Sequence, residues 1–325
     1  MPAAKPPGPG ESPRAARGLR AVRVSRALRD PEAGRARAVV VGVHRRACHL
    51  GRESGRWVIL SAPDVPLAPN GVAIEITPAG TMAEAGFRVG QTVALGPGAL
   101  ADGGDVDWLV SLAGAASWEP RPRVRPVPPG ELDRRLSVTR AAALADGACE
   151  SFLPLLWATG ADPDAFLMGA ARMAFEPARG LGEAAAGGDV RSVAGAASRL
   201  AGLGPGLTPS GDDFLAGFAA AWTLVGASLG FDGAERRRVT RALVSGARAG
   251  ASPLGRVWLE HAVRGELPEP MTRFAAALFA AEARDLGPAV RAMLAVGASS
   301  GTDWTVGFLL GAAALADSST GARRR

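Results

Sequence analysis

Four prolines fall within the ten residues Arg121-Pro122-Arg123-Val124-Arg125-Pro126-Val127-Pro128-Pro129-Gly130. Each proline lacks an amide donor and holds φ at about −65°, so neither a helix interior nor a central strand can run through the segment. Residues 121–130 therefore form a stiff, extended linker that divides the chain in two. Upstream, over 38–120, short β-branched runs at 39–43, 57–60, 72–76, 91–95 and 108–112 are separated by Gly, Pro, Asn and Asp. This is the pattern of a small β-rich domain, a barrel or a sandwich. Downstream, over 131–316, Ala, Leu and Arg recur at helical spacing between Gly and Pro breaks, which predicts a larger, all-helical domain. Its helices are expected near 131–146, 148–159, 163–175, 189–201, 211–229, 233–248, 253–264, 270–283, 286–296 and 302–316. The fold class is α+β, with the two kinds of element segregated along the chain.

The ends read differently. Residues 1–37 hold nine basic and three acidic residues with few large apolar ones. Such a segment buries too little to offset ordering entropy, so it is expected to be a disordered basic tail, with 317–325 a second disordered tail. Taking the +6 of residues 1–37 and the +3 of Arg323, Arg324 and Arg325 from the formal +6 leaves the body at −3. A mildly acidic body argues against nucleic acid as a partner. Lys5 is the sole lysine, tyrosine is absent, and histidine is limited to His44, His49 and His261, which excludes Schiff-base and Walker-type lysines from the chemistry. Cys48 and Cys149 form no framework and fit a reducing compartment. With no apolar leader at the start, the cytoplasm is expected. The longest uncharged run, 214–231, is rich in small residues and reads as a buried core helix rather than a membrane span.

The densest chemistry lies at Gly202-Leu203-Gly204-Pro205-Gly206-Leu207-Thr208-Pro209-Ser210-Gly211-Asp212-Asp213, a glycine-rich loop running into that apolar helix. A shorter copy follows 90 residues on: Ser210-Gly211-Asp212-Asp213-Phe214-Leu215-Ala216-Gly217-Phe218 aligns without gaps onto Ser300-Gly301-Thr302-Asp303-Trp304-Thr305-Val306-Gly307-Phe308. Glycines let successive amides face one point, and a helix start adds unpaired N–H groups and a positive dipole end. The candidate phosphate or carboxylate ligands are thus Gly204, Gly206, Thr208, Ser210 and Gly211, with Ser299, Ser300 and Gly301 from the second junction. Asp212, Asp213 and Asp303 are the candidate catalytic carboxylates, placed to accept substrate N–H groups, to orient a catalytic group or to bind Mg²⁺. The competing structural reading is a pair of capping boxes, Ser210 with Asp213 and Ser300 with Asp303, worth about 1 kcal/mol each. Capping alone leaves the preceding Gly-Pro-Gly unexplained. Gly217-x-x-x-Ala221 and Gly307-x-x-x-Gly311 would let the two helices approach closely and bring both starts to one cavity.

Elsewhere the signals are weaker. His44, Cys48 and His49 lack a fourth ligand, and in a strand 44 and 48 share a face that 49 does not, so no metal site is assigned. His261 reads as a surface or boundary histidine, because no nucleophile accompanies it. Arg248 and Arg256 flank the helix start at Ser252-Pro253.

The stretch Gly204 to Gly217, together with Ser299-Ser300-Gly301-Thr302-Asp303 and the β-rich front, resembles the oxamate carbamoyltransferase subunit AllH family over about residues 38–316. The resemblance implies a subunit of a multi-component enzyme of anaerobic allantoin breakdown. Such an enzyme, with partner subunits, moves a carbamoyl group between oxalurate/oxamate and phosphate, releasing oxamate and carbamoyl phosphate. It implies small anionic substrates, other carbamoyltransferase subunits as partners, and neither nucleic acid nor membrane. A non-catalytic anion-binding or scaffolding subunit, whose partners carry the chemistry, is the alternative that the residues leave open.

Overall fold

The computed structural model describes residues 17–28, 36–52, 55, 57–96, 98–102, 108–157 and 167–322, and among these nine strands and nine α-helices form. The chain parts into two units between Glu119 and Pro120. In the first unit the strands are β1 (Arg17–Ser25), β2 (Ala36–Val43), β3 (Ala47–Gly51), β4 (Trp57–Ser61), β5 (Gly71–Ile74), β6 (Thr92–Leu95), β7 (Ala99–Asp102), β8 (Trp108–Ser111) and β9 (Ala116–Trp118). They pair in the order β5-β4-β3-β2-β6-β7-β8-β1, and β1 pairs back onto β5. That closure makes an eight-stranded barrel, with β9 added in parallel beside the end of β1. A barrel of this size is filled by its inward side chains. Val40, Leu50, Leu60, Val72, Val93 and Val110 point inward, with the Phe87 and Trp108 rings 4.6 Å apart among them. The period of two is plain in β2, where Val40 is buried while Val39 and Val41 face out.

Strand β1 corrects the expectation of a tail through residue 37. Its arginines raise the local charge, but Ala21 and Val24 are buried in the core while Arg20 is exposed. A register shift between Ala21 and Arg23 lets its first half pair with β8 and its second half with β5. Three partner strands, β5, β8 and β9, supply the backbone bonds that composition alone does not reveal. The remainder of that expected tail, 1–16 and 29–35, lies outside the described residues.

The second unit contains α1 (Pro129–Asp146), a 3-10 turn (Leu153–Leu156), α2 (Gly169–Ala186), α3 (Val190–Leu200), α4 (Ser210–Ser228), α5 (Gly233–Ala247), α6 (Pro253–Ala262), α7 (Glu269–Leu278), α8 (Leu286–Leu294) and α9 (Ser300–Ala322). Two expected helices change. Residues 148–157 carry only the short 3-10 turn, and α2 runs on through Pro177 to Ala186. Burial of Ala174, Pro177, Ala178, Leu181 and Ala185 on one face outweighs the hydrogen bond that the proline removes. The C-terminal tail also changes: α9 extends to Ala322, because a nucleated helix adds residues at little cost.

Helices α4 and α9 form the centre. Every residue of α4 except Ala227 and Thr223 is buried, as suits a helix that is apolar on all sides. Among the described residues no helix is long and apolar enough to cross a membrane. Gly217 lies against Trp304 and Phe308, Gly307 against Phe214, Gly311 against Phe218 and Ala221, and Gly226 faces Leu315. The contacts ascend together along both helices, so the pair is parallel and its two N-termini adjoin. The small-residue spacings read from the sequence are the surfaces on which the helices meet.

Candidate functional site

The loops before α4 and α9 are built alike. Gly204 and Gly297 have φ of 102° and 65°, a region closed to most side chains. A Cβ on Gly204 would lie 3.0 Å from the Ser210 amide, and one on Gly297 would lie 3.2 Å from Ser300 Oγ. Each glycine thus lets its loop fold down onto the serine that begins the next helix. Gly206, at φ 101°, sits in the exposed part of the first loop with Pro205 and Leu207.

The first-turn amides are largely taken by the protein itself. Gly211 donates to the Leu203 carbonyl and Gly301 to Val296, both at 2.9 Å, while Asp212 and Asp213 donate to Pro209 and Asp303 to Ser299. Gly211 and Gly301 serve as close-packing positions: a Cβ on either would collide with the Leu200 or the Met293 carbonyl. The amides of Ser210 and Ser300 meet no acceptor among the described residues. No capping box forms at α4, since it is preceded by Pro209 and has no side-chain cap. Ser210 is a residue of the helix itself, so its hydroxyl is free to turn sideways.

It turns toward the other helix. Thr208 Oγ1 and Ser300 Oγ lie 3.2 Å apart, joining the first loop to the second helix start. The Ser300 and Thr208 hydroxyls lie beside Asp213 and those of Ser210 and Ser299 beside Asp303, each pulling the carboxyl pKa downward. The arrangement is reciprocal: each helix start supplies a serine to the carboxyl group of the other.

The three aspartates fall into two roles. Asp212 is 2% exposed, and both of its oxygens are occupied, Oδ1 by the Gly202 amide and Oδ2 by the Ser252 amide, each at 2.8 Å. It does not reach the second helix start, as a catalytic role beside Asp213 and Asp303 would require; it ties the end of α3 and the start of α6 to α4. Gly255 makes this possible, because a Cβ there would lie 2.6 Å from Asp212 Cβ. Burial raises the Asp212 pKa, against the pull of the Gly202 and Ser252 amides and of Arg256. Asp213 and Asp303 differ. Asp303 is 0% exposed, with Oδ1 accepting from the Phe152 amide at 2.6 Å, and Asp213 is 6% exposed. On each, Oδ2 is buried and has no hydrogen-bond partner among the described residues. Burial holds the Asp213 carboxyl well above the usual carboxylate range, helped by the charges of Asp303 and Asp212 and opposed by the two hydroxyls. Burial likewise raises Asp303, against the Phe152 amide and the serines.

Sequence reasoning did not find Phe152 or Gly255, and it placed Gly202 in the glycine-rich loop and Ser252 at a helix start without linking either to Asp212. Gly255 carried a legible signal, a glycine in the first turn of a helix, where it has no local purpose. Phe152 acts through its backbone and carries none. Among the described residues no three His, Cys, Asp or Glu side chains converge as metal ligands, and the oxygens of Asp212 point away to its two amides. His44 and His49 lie tilted against each other with ring centroids 4.8 Å apart, and Cys48 points into the barrel, its thiol pushed up to about 12 by burial. The expected sharing of a face by 44 and 48 fails, since 44 precedes the strand. His261 is mostly buried and meets Glu266 at 2.7 Å; Arg264 and Arg121 pair with the same carboxylate.

The family model described as oxamate carbamoyltransferase subunit AllH matches residues 200–312. The match runs from the last residue of α3 into α9 and includes both helix starts and both unpartnered carboxyl groups. No curated protein and no solved structure matches the chain.

Proposed function

We propose that the chain is a subunit of a carbamoyltransferase that moves a carbamoyl group between oxalurate/oxamate and phosphate, with the paired helix starts as its substrate site. The family match over 200–312 supports the class of enzyme. The observation that carries the site is the meeting of two helix N-termini around two buried carboxyl groups, each with an oxygen unpartnered among the described residues. In the reaction a phosphate oxygen bonds to the carbamoyl carbon of oxalurate, the C–N bond breaks, and a proton passes to the departing nitrogen. Carbamoyl phosphate and oxamate result. Both substrates are anions, and the positive ends of α4 and α9, with the Ser210 and Ser300 amides and the Thr208 hydroxyl, favour negative charge at that point. The carbamoyl NH₂ needs an acceptor, which the Asp213 and Asp303 pair supplies. No lysine, tyrosine or covalent nucleophile is called for; the site works by positioning and electrostatic stabilisation.

Calorimetric titration of the full chain with oxalurate, oxamate, phosphate and carbamoyl phosphate tests this reading. Binding of at least one, weakened tenfold or more in Thr208→Val and Ser300→Ala with the melting temperature kept, is the expected result. Carbamoyl phosphate formation by the chain alone, against formation only with partner subunits, separates a catalytic subunit from a scaffolding one. Failure of all four compounds to bind overturns the proposal.

A further inference from the structure

We infer that Asp213 and Asp303 hold one proton between them and together read a primary amide, one carboxyl oxygen donating to its C=O and the other accepting from its N–H. The inference deepens the substrate site proposed above and rests on that reading for the compound, though not for the chemistry. Its basis is geometric. The two carboxyl groups sit on adjoining starts of parallel helices, both are buried, and each keeps one Oδ2 without a partner among the described residues. Their remaining contacts are donors in reciprocal arrangement: Ser300 and Thr208 toward Asp213, Ser210, Ser299 and the Phe152 amide toward Asp303.

The ionisable groups around the pair are few. On α4 there is Asp212, which adds negative charge; Arg256 on α6 acts on Asp212. From the 3-10 turn only a backbone amide arrives, and α9 adds no cation. Two buried carboxylates with no cation beside them among the described residues are held back from ionising together, and their titration belongs to the pair. Two positive helix ends and four hydroxyls still favour retaining one negative charge. The singly protonated pair therefore offers one O–H donor and one O⁻ acceptor. A primary amide presents the complement, a C=O and an N–H, whereas a carboxylate presents two acceptors and leaves the O⁻ of the pair facing like charge. A buried site made for a donor rejects an analogue lacking it strongly, because its own polar group is left unpaired. The upward direction of both carboxyl pKa values agrees with this state.

The test compares amides with their carboxylate counterparts on the full chain: oxamate with oxalate, malonamate with malonate, and succinamate with succinate, by calorimetry at neutral pH. The expected result is an amide preference of at least tenfold in one or more pairs, falling to near unity in Asp213→Asn and in Asp303→Asn. Infrared difference spectra of the unliganded chain are expected to show a protonated carboxyl C=O band at neutral pH that both variants lose. Should either variant fail to fold, Ser300→Ala shifts that band in an intact site. A preference confined to malonamate or succinamate supports the inference and overturns the carbamoyl reading. No amide preference in any pair, or no carboxyl band lost, overturns the inference.

Discussion

Replacing Gly217 with alanine tests the close parallel crossing on which the site depends. The added Cβ would lie 2.8 Å from the Trp304 carbonyl carbon and 3.0 Å from the Phe308 amide, where ordinary contact begins at 3.4 Å. Both neighbours are backbone atoms of a buried helix and cannot rotate aside. The Trp304 carbonyl oxygen lies closer still, so α4 and α9 must separate by roughly 1 Å or more along a close-packed interface. Overpacking of this kind costs about 1–3 kcal/mol, while alanine in place of glycine in a helix returns about 0.5–1 kcal/mol. The net expectation is a loss of about 1–2 kcal/mol, given that steric cost and propensity gain. Gly195→Ala is the matched control, because Gly195 lies inside α3 with nothing within 4 Å of its Cβ position. There the propensity gain stands alone at about 0.5–1 kcal/mol. The same chemical change thus has opposite signs at two sites, some 5–10 °C apart in melting temperature for a unit of this size. Chemical and thermal denaturation of both variants measure it, and Gly307→Ala, whose Cβ would lie 2.8 Å from the Phe214 carbonyl carbon, should behave as Gly217→Ala does. A Gly217→Ala protein as stable as Gly195→Ala would refute the crossing, and with it the adjacency of the two helix starts.

Asp212→Asn turns an amide group toward one of two backbone donors, Gly202 or Ser252. It should lower unfolding free energy by about 1–3 kcal/mol, measured by denaturant titration, with ligand binding retained in the folded fraction; binding lost at unchanged stability would make Asp212 a ligand-binding residue instead. The raised carboxyl pKa values of Asp213 and Asp303 contribute stability that is fully present below the unfolded pKa of about 4 and is lost as pH rises through the folded values. The unliganded wild type should therefore lose melting temperature on going from about pH 5 to 8 more steeply than Asp213→Asn, and parallel slopes would count against it. Glu266 behaves oppositely. Burial pushes its pKa up, but His261 and Arg264 outweigh burial and leave it at about 2. Its contribution is present above the unfolded value of about 4.3 and lost as pH falls toward 2, so Glu266→Gln should cost stability at pH 7 and converge with wild type near pH 2; a pH-independent difference between the two melting curves would refute this.

Much of the architecture was legible in the sequence because it rests on local chemistry. Prolines at 122, 126 and 128 keep the backbone from regular structure and Pro129 suits the first turn of a helix, while the change from β-branched runs to Ala/Leu spacing reports on neighbours a few residues apart. The repeat of Ser-Gly-x-Asp, followed by small residues at 217, 221, 307 and 311, announced two similar helices able to approach closely. What escaped depended on partners distant in the chain. β1 is a strand because β8 and β5 lie on either side of it, and no count of its arginines records that. The role of each aspartate was decided in the same way. Asp212 and Asp213 are neighbours in sequence with the same side chain, yet on a helix successive residues point about 100° apart. One therefore meets the Gly202 and Ser252 amides and is fully bonded, while the other meets Ser300 and Asp303 and keeps an oxygen unpartnered among the described residues. Sequence determined that carboxyl groups would stand at two helix starts; only the packing of α3, α6 and α9 around α4 decided which of them were left with an oxygen to offer.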